Sequence, residues 1–430
     1  MSPDPSGPRR CVVVPVCLRA RARVLGAAMF VLTVPSGFAP AQAAPLTERA
    51  AVDMALARPA YRTAEAGRIA MAESVVTQAG LLPNPSVQVT HERGNVAGGR
   101  ATENALQISQ TFDISGRRTL LRQAAERRLD AAQFDLDSGR RRLIAEVRSA
   151  FAEALYRDQV RTGLRTWNQR IDAGYAVVSQ LAKAGEASGY ERRRLERERQ
   201  TAQARIARAD ADYLRSREQL VAYLGNAAAH TLVPAGDLIP PETPALPAVQ
   251  ARMRSRPELQ SLIAQAEAFD RERRAADRAW LPDITVGAGP KRVDEPGRSD
   301  NAAVFSVSIA VPLFDRGQAA QKRASAEASV TRAEHALRLD RWDAELRGVW
   351  AQANALRRAA LLIGDESRNS ARDLSRIAEA AYRGGESTLL ELLDAYRNEL
   401  EGQATALELA LAARLARIEL DLLSGALTNE

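Results

Sequence analysis

The sequence predicts a mainly α-helical protein with a smaller β part, built as two tandem repeats of one design. The first sign is a self-similarity at an offset close to 200 residues. Arg58-Pro59 returns as Arg256-Pro257, Leu82-Pro83 as Leu281-Pro282, Gly116 as Gly317, Gly185-Glu186 as Gly385-Glu386, and Leu224-Gly225 as Ser424-Gly425. Their shared order and near-constant spacing mark each half as one structural unit. The second sign is composition: aromatic residues make up 5% of the 430 and charged residues 26%, with Ala, Leu, Arg and Glu throughout. Such a chain suits long helices with thin contacts. The third is period-two alternation at the matching place in each half: Val87, Val89, Leu106 and Ile108, then Ile284, Val286, Phe305, Val307, Ile309 and Val311.

Residues 1–43 read as a signal peptide. Arg9, Arg10, Arg19, Arg21 and Arg23 precede an apolar run from Val24 to Ala39, and Ala41-Gln42-Ala43 offers the small residues of a cleavage site. Pro35, Ser36 and Gly37 interrupt that run, which argues against a retained membrane anchor. Cys11 and Cys17 both lie in this leader, so the mature chain is expected to hold no disulfide, no thiol nucleophile and no lipid-bearing cysteine. The leader sets five arginines against Asp4, so little of the formal net charge of +7 remains for the mature part, and the basic balance is no footprint of nucleic-acid binding.

Four further segments follow: a first repeat over 44–225, a Pro-rich linker over 226–250, a second repeat over 251–425 and a tail over 426–430. Each repeat reads as a helix, a strand pair (about 86–112 and about 283–312) and two very long helices. In the strands Ser306, Ser308 and Ala310 take the face opposite the apolar residues, a pattern that fits either a membrane barrel or hairpins on a soluble sheet. The segments Arg93 to Arg100 and Arg292 to Asn301 carry Gly, Asp and Arg and read as exposed loops.

From Gln318 to Tyr382 there is no proline, so a continuous helix there would run on the order of 100 Å. Beyond it Leu389, Leu393, Tyr396, Leu400, Leu407, Leu411, Leu415, Ile418 and Leu422 recur in steps of three and four over several heptads, and Ile206, Tyr213 and Leu220 repeat a seven-residue step in the first half. One narrow apolar stripe cannot make a core, so these helices must pack as coiled coils or in a larger ring. The reversals at Lys183 to Gly189 and Arg383 to Thr388 offer glycine to end one helix, and Ser188 or Ser387-Thr388 to cap the next.

Taken together, Leu281-Pro282-Asp283-Ile284-Thr285-Val286-Gly287, the strand and turn from Phe305 through Pro312-Leu313-Phe314-Asp315-Arg316-Gly317, and the tip from Tyr382 to Asp394 resemble TolC-like outer-membrane efflux factors. The resemblance covers the chain from Ala44 to about Gly425. It implies a mainly α fold with a β-barrel part: long α-helical coiled-coil hairpins plus four transmembrane β-strands per protomer, closing as a trimeric α/β barrel. The implied partners are two further copies in a homotrimer, outer-membrane lipid, a periplasmic adaptor (membrane fusion protein) and an inner-membrane efflux pump. The implied location is the outer membrane of a Gram-negative bacterium, with a long periplasmic part.

The same resemblance puts the working residues at the periplasmic tip. Glu391 and Asp394 lie on one helical face and would form acidic rings at the aperture, favouring cations, with Tyr382 and Ser387 beside them; Ser387 stands where the family has an arginine. Arg194 occupies the first-repeat position matching Asp394, so the tips are not equivalent and pairing across protomers is one expectation. Leu181, Lys183, Gly185, Ser188, Arg383, Gly385 and Glu386 form the implied adaptor contact. Pro282 to Gly287, Lys291-Arg292 and the Pro-Leu-Phe-Asp-Arg turn are similar to the outer-membrane components of cobalt, zinc and cadmium export systems. Organic-solute or drug efflux and type I secretion remain alternatives of the same class, and a periplasmic coiled-coil adaptor or scaffold is the alternative from another class. No nucleophile elbow, phosphate loop or zinc signature points to an enzyme or a cofactor, and His91, His230 and His335 are too far apart in sequence for a metal site.

Overall fold

The computed structural model describes residues 45–185, 188–225 and 233–427. The expected signal peptide, residues 226–232 of the Pro-rich segment, and the last residues of the tail lie outside them. The first repeat runs α1 (Glu48–Leu56), α2 (Pro59–Gly80), β2 (Ser86–Val96), β3 (Gly99–Phe112), α3 (Arg117–Ala184) and α4 (Gly189–Leu224). The second repeats that order as α5 (Leu246–Arg254), α6 (Pro257–Asp277), β5 (Ile284–Glu295), β6 (Arg298–Ile309), α7 (Gln318–Arg383) and α8 (Leu389–Ser424). A two-residue strand β1 (Pro45–Leu46) pairs in parallel with β4 (Val233–Pro234), tying the start of the described chain to the segment between the repeats.

The single helix expected ahead of each strand pair is two. Pro59 and Pro257 stand at the first position of α2 and α6, where a missing N–H costs nothing, and they end the shorter helices before them. Arg58 and Arg256, the residues before these prolines, reach back to the far end of their own repeat. Arg58 Nη1 donates to the carbonyls of Ala222 (2.8 Å) and Tyr223 (3.2 Å), and Arg256 Nη1 to that of Leu423 (3.3 Å). Each guanidinium thus satisfies the unpaired carbonyls at the C-terminus of α4 or α8, where the helix dipole favours a cation.

The four long strands form one antiparallel sheet in the order β2-β3-β5-β6, and β2 and β6 are its open edges. Register aligns the apolar side chains: Val87 faces Ile108, Val89 faces Leu106, Val286 faces Val307 and Ile284 faces Ile309. This face is exposed, with Val89 at 76% and Phe305 at 81%. The other face carries Gln88, Gln107, Ser109, Thr285, Gly287, Ser306 and Ser308, and its residues on the two central strands are half-buried or buried. Gln107 lies across Gly287 to donate to Ser306 Oγ. At Gly289 a Cβ would overlap the Leu106 carbonyl oxygen, so that close strand approach admits only glycine.

The segments read as loops from Arg93 to Arg100 and from Arg292 to Asn301 are mostly strand. Pairing continues to Val96 with Gly99 and to Glu295 with Arg298, leaving two-residue turns. Both turns place glycine at positive φ, Gly98 at 102° and Gly297 at 82°.

The long helices run away from the sheet. α3 holds 68 residues and α7 holds 66, roughly 100 Å each. α3 packs on α4, α6, α8 and α2, and α7 packs on α8 and α6. On α4 the buried positions Leu195, Ala202, Ala209 and Ser216 keep a strict step of seven, interleaved by Tyr213 and Leu220. Three apolar clusters hold the bundle. One near the tips gathers Trp167, Ile171, Val178, Leu195, Leu393 and Tyr396; one at mid-length gathers Phe151, Leu155, Leu220 and Ile418 with Leu46, Leu238 and Leu427; a third joins α5 and α6 to α7 and α8 through Met253, Leu259, Leu346 and Leu420. No residue of α2 is buried, and Val330, Leu337 and Leu362 on α7 are exposed by more than half.

Candidate aperture at the helix tips

The two hairpin turns are built by the same local chemistry. After α3, Gly185 adopts φ 83° and its N–H closes on the carbonyls of Ala182 and Leu181; after α7, Gly385 adopts φ 73° and its N–H bonds the Tyr382 carbonyl. The next helix then begins with a reciprocal cap. Ser188 Oγ accepts from the Glu191 N–H at 3.2 Å while the Glu191 carboxylate accepts from the Ser188 N–H at 2.8 Å. Thr388 and Glu391 repeat this, at 3.3 and 2.8 Å. Glu391 is therefore tied to its own helix start, although its side chain is exposed.

Asp394, one turn further, is exposed and among the described residues accepts only from Asn398 Nδ2 at 3.2 Å. Along α8 the exposed positions continue in steps of three and four: Glu391, Asp394, Asn398, Glu401, Thr405 and Glu408. Every charged residue in that stripe is a carboxylate. Sequence reading found its first two members and missed Glu401 and Glu408, although the spacing of 391, 394, 401 and 408 was the available signal.

The remaining expected residues divide. Tyr382 is half-buried against the tip cluster, and burial together with the Glu191 charge pushes its phenol above the ordinary range. Ser387 is half-buried, its hydroxyl without a hydrogen-bond partner among the described residues. Arg194 donates to Tyr190 Oη at 3.2 Å, and among the described residues nothing joins it to Asp394 within the protomer. Lys183, Gly185, Ser188, Arg383, Gly385 and Glu386 are exposed at the turns, and Leu181 is half-buried.

Behind the tips a polar network holds four helices together, which sequence reading did not anticipate because its partners lie on different helices, two of the pairs on different hairpins. Arg170 of α3 pairs with Glu399 of α8, Arg397 of α8 with Glu198 of α4, and Arg199 of α4 with Asp172 of α3 at 2.6 Å. Tyr396 Oη donates to Glu379 of α7 at 2.7 Å, and burial and that carboxylate push the Tyr396 phenol strongly upward. A hollow of about 720 Å³ lined by Arg170, Arg372, Arg376, Glu379, Tyr382 and Tyr396 separates α3 from α7 here.

A two-part helical tower carrying an exposed-apolar sheet has a counterpart among known proteins. The family model described as "Outer membrane efflux protein" matches residues 52–226 and again 248–426. The chain belongs to the outer membrane efflux protein family. This outer membrane efflux protein is therefore a channel of the Gram-negative outer membrane and not an enzyme, and its family forms trimeric channels within tripartite systems. It is 28% identical over 362 residues to the cobalt-zinc-cadmium resistance protein CzcC of Cupriavidus metallidurans, covering 83% of this chain and 84% of that one. Its fold resembles a membrane protein from Pseudomonas aeruginosa, with TM-score 0.73, 20% identity and coverage of 88% and 92%. It also resembles the CmeC outer membrane channel of Campylobacter jejuni, with TM-score 0.71, 14% identity and coverage of 88% and 85%. Among the described residues no helix of this outer membrane efflux protein is long and apolar enough to cross a membrane, and no group of three His, Cys, Asp or Glu could hold a metal ion.

Proposed function

We propose that three copies of this chain form the exit duct of a tripartite efflux system and that its cargo is cationic, divalent heavy-metal ions in particular. The acidic stripe on α8 carries the reading. Turned toward the axis of a helical tube, Glu391, Asp394, Glu401 and Glu408 from three chains give successive negative rings, a potential that gathers cations and repels anions. The likeness to CzcC, a cobalt-zinc-cadmium resistance protein, supports the same cargo.

Closure follows from the sheet. Four strands with open edges at β2 and β6 leave unpaired N–H and C=O groups that lipid cannot satisfy, so β6 of one copy pairs with β2 of the next and twelve strands close the wall. Helices then extend into the periplasm, and the β-hairpin turns face the exterior. At the helix tips Leu181, Lys183, Gly185, Ser188, Arg383, Gly385 and Glu386 meet the periplasmic adaptor, which recruits an inner-membrane pump. Tyr382, Ser387, Glu391, Asp394 and Arg194 surround the aperture.

Reversal potentials of the purified trimer in planar bilayers test the reading, with cation preference expected. An anion-preferring or unselective pore overturns the cationic cargo. Loss of the chain from its host is expected to raise sensitivity to cobalt, zinc and cadmium; sensitivity confined to organic toxicants would assign the duct to organic solutes instead.

A further inference from the structure

Charge at the far end of the sheet is balanced differently on its two faces. On the face that continues the apolar band of Val87, Val89, Leu106 and Ile108, the residues nearest the hairpin turns are Arg93, Arg100 and Arg292, with Asp294 as the one carboxylate. Arg292 is paired with Asp294 at 3.1 Å. Arg93 and Arg100 are exposed, and among the described residues neither makes an ion pair. On the opposite face at the same height stand Glu92, Glu103, Glu295 and Asp300 with Lys291 and Arg298, and there Lys291 pairs with Glu103 and Arg298 with Asp300. Both signs occur on each face, but the balance is basic on the apolar-band side and acidic on the other, and only Arg93 and Arg100 of the arginines at this end lack an ion pair among the described residues.

From these two unpaired arginines beside the apolar band we infer that Arg93 and Arg100, flanked by Arg292, form a binding surface for the phosphate groups of a phosphorylated outer-leaflet lipid. The inference rests on the reading of the sheet as a membrane wall with its turns outside. The surface is continuous with the apolar band, so a ligand there has its acyl chains along Val87, Val89, Leu106 and Ile108 and its headgroup at the arginines. Register places Arg100 across from Asn95, two residues beyond Arg93 on the same face, so the two guanidinium groups are diagonal neighbours. Arg292 lies two strands from Arg93, roughly 10 Å across the sheet, which matches two phosphates on one headgroup better than a single small anion. Guanidinium groups bind phosphate oxygens in paired, charge-assisted hydrogen bonds, and basic residues at a membrane surface select anionic lipid. The inner face at the same height is net acidic and its cations, Lys291 and Arg298, are already paired with carboxylates, which keeps the site to the outside of the wall.

The test uses the full-length trimer reconstituted in phosphatidylcholine vesicles containing either bisphosphorylated lipid A or its dephosphorylated form, with bound lipid counted by native mass spectrometry. The wild type is expected to retain the bisphosphorylated lipid about tenfold better or more. Retention should fall to the dephosphorylated level in R93Q/R100Q and be partly kept in R93K/R100K, whose lysines hold the charge without the paired geometry. Equal retention of the two lipids by an inserted wild-type trimer overturns the site while leaving the barrel intact. Displacement of the lipid by millimolar inorganic phosphate overturns it in favour of a free-anion surface. A wild type that forms no inserted, heat-modifiable trimer overturns the barrel reading and this site with it. The comparison of two lipids on the wild type decides the matter even where a variant assembles poorly.

Discussion

Arg256 and Glu258 form a buried ion pair across a single turn of chain, Nη2 to Oε1 at 2.6 Å, with 6% and 7% of their side chains exposed. The guanidinium also lies over the Trp342 ring at 3.9 Å and donates to the Leu423 carbonyl, so one side chain joins α6, α7 and the end of α8. Removing one partner strands the other in an apolar site. Glu258→Ala is expected to destabilise the helical part by about 3 kcal/mol, read as a lower denaturation midpoint of the trimer.

The pH dependence of that effect has a definite sign. Burial pushes the Glu258 carboxyl up, but the hydrogen bond and charge of Arg256 outweigh it and hold it below its ordinary value of 4.5. A group with a depressed folded value stabilises fully above its unfolded value, and the contribution is lost as pH falls through the folded one. The gap between wild type and Glu258→Ala should therefore be constant near neutrality and narrow only as the pH drops below 4.5. A gap that widens in acid would contradict the depressed carboxyl.

Glu391 serves two ends, and substitution separates them. Gln at this position keeps the reciprocal cap with Thr388 and removes the charge; Ala removes both. Glu391→Gln is expected to lower cation preference in planar bilayers with unchanged stability, and Glu391→Ala to add a loss of about 1 kcal/mol. Asp394→Asn, with no cap to lose, should reduce cation preference alone. Unchanged selectivity in the Glu391→Gln/Asp394→Asn variant would remove the acidic rings.

Two glycines of β5 should respond differently to the same methyl group. At Gly289 the added Cβ meets the backbone of Leu106, which cannot move without breaking the β3–β5 ladder; at Gly287 it first meets the end of the Gln107 side chain, which can swing away. Gly289→Ala is expected to cost about 3 kcal/mol and deplete heat-modifiable trimers from the outer membrane, and Gly287→Ala to leave most of them. Equal yields would show that the strands can separate at Gly289.

The two faces of the sheet can be told apart in the same way. Val307→Arg places a charge on the apolar outward face and is expected to cost about 2–4 kcal/mol per protomer, abolishing assembly. Gln88→Arg, on the polar face, should assemble normally. Assembly of both to the same level would deny that the Val307 face meets lipid.

Much of the fold was legible in the sequence because its devices are local. Alternation at Val87, Val89, Phe305 and Val307, glycines at 185 and 385, and heptads on α8 each act within a few residues. Missed features act over longer range. The strands were read as ending near Arg93 and Arg292 because polar residues there look like loop. In this sheet both faces are polar near the turns, so hydrophobicity fades before hydrogen bonding does. The capping role of Arg58 depends on carbonyls 164 and 165 residues away, and the tip network on pairs such as Arg170 with Glu399. At the helix tip, sequence placed Asp394 and Glu391 on one face, yet Glu391 doubles as a helix cap, which spacing to Thr388 alone could have signalled.

The matched helices carry a constraint on how such a chain can change. α4 and α8 both hold 36 residues, while α3 and α7 differ by only two residues in more than sixty. A single inserted residue turns everything beyond it by 100° and carries the seam away from its partner. Lineages that deepen or shorten such a duct therefore have to move by whole heptads, and in all four helices together. Depth becomes a quantity that evolves in steps of about 10 Å, which makes hairpin length a readable record of the width of the space it was selected to cross.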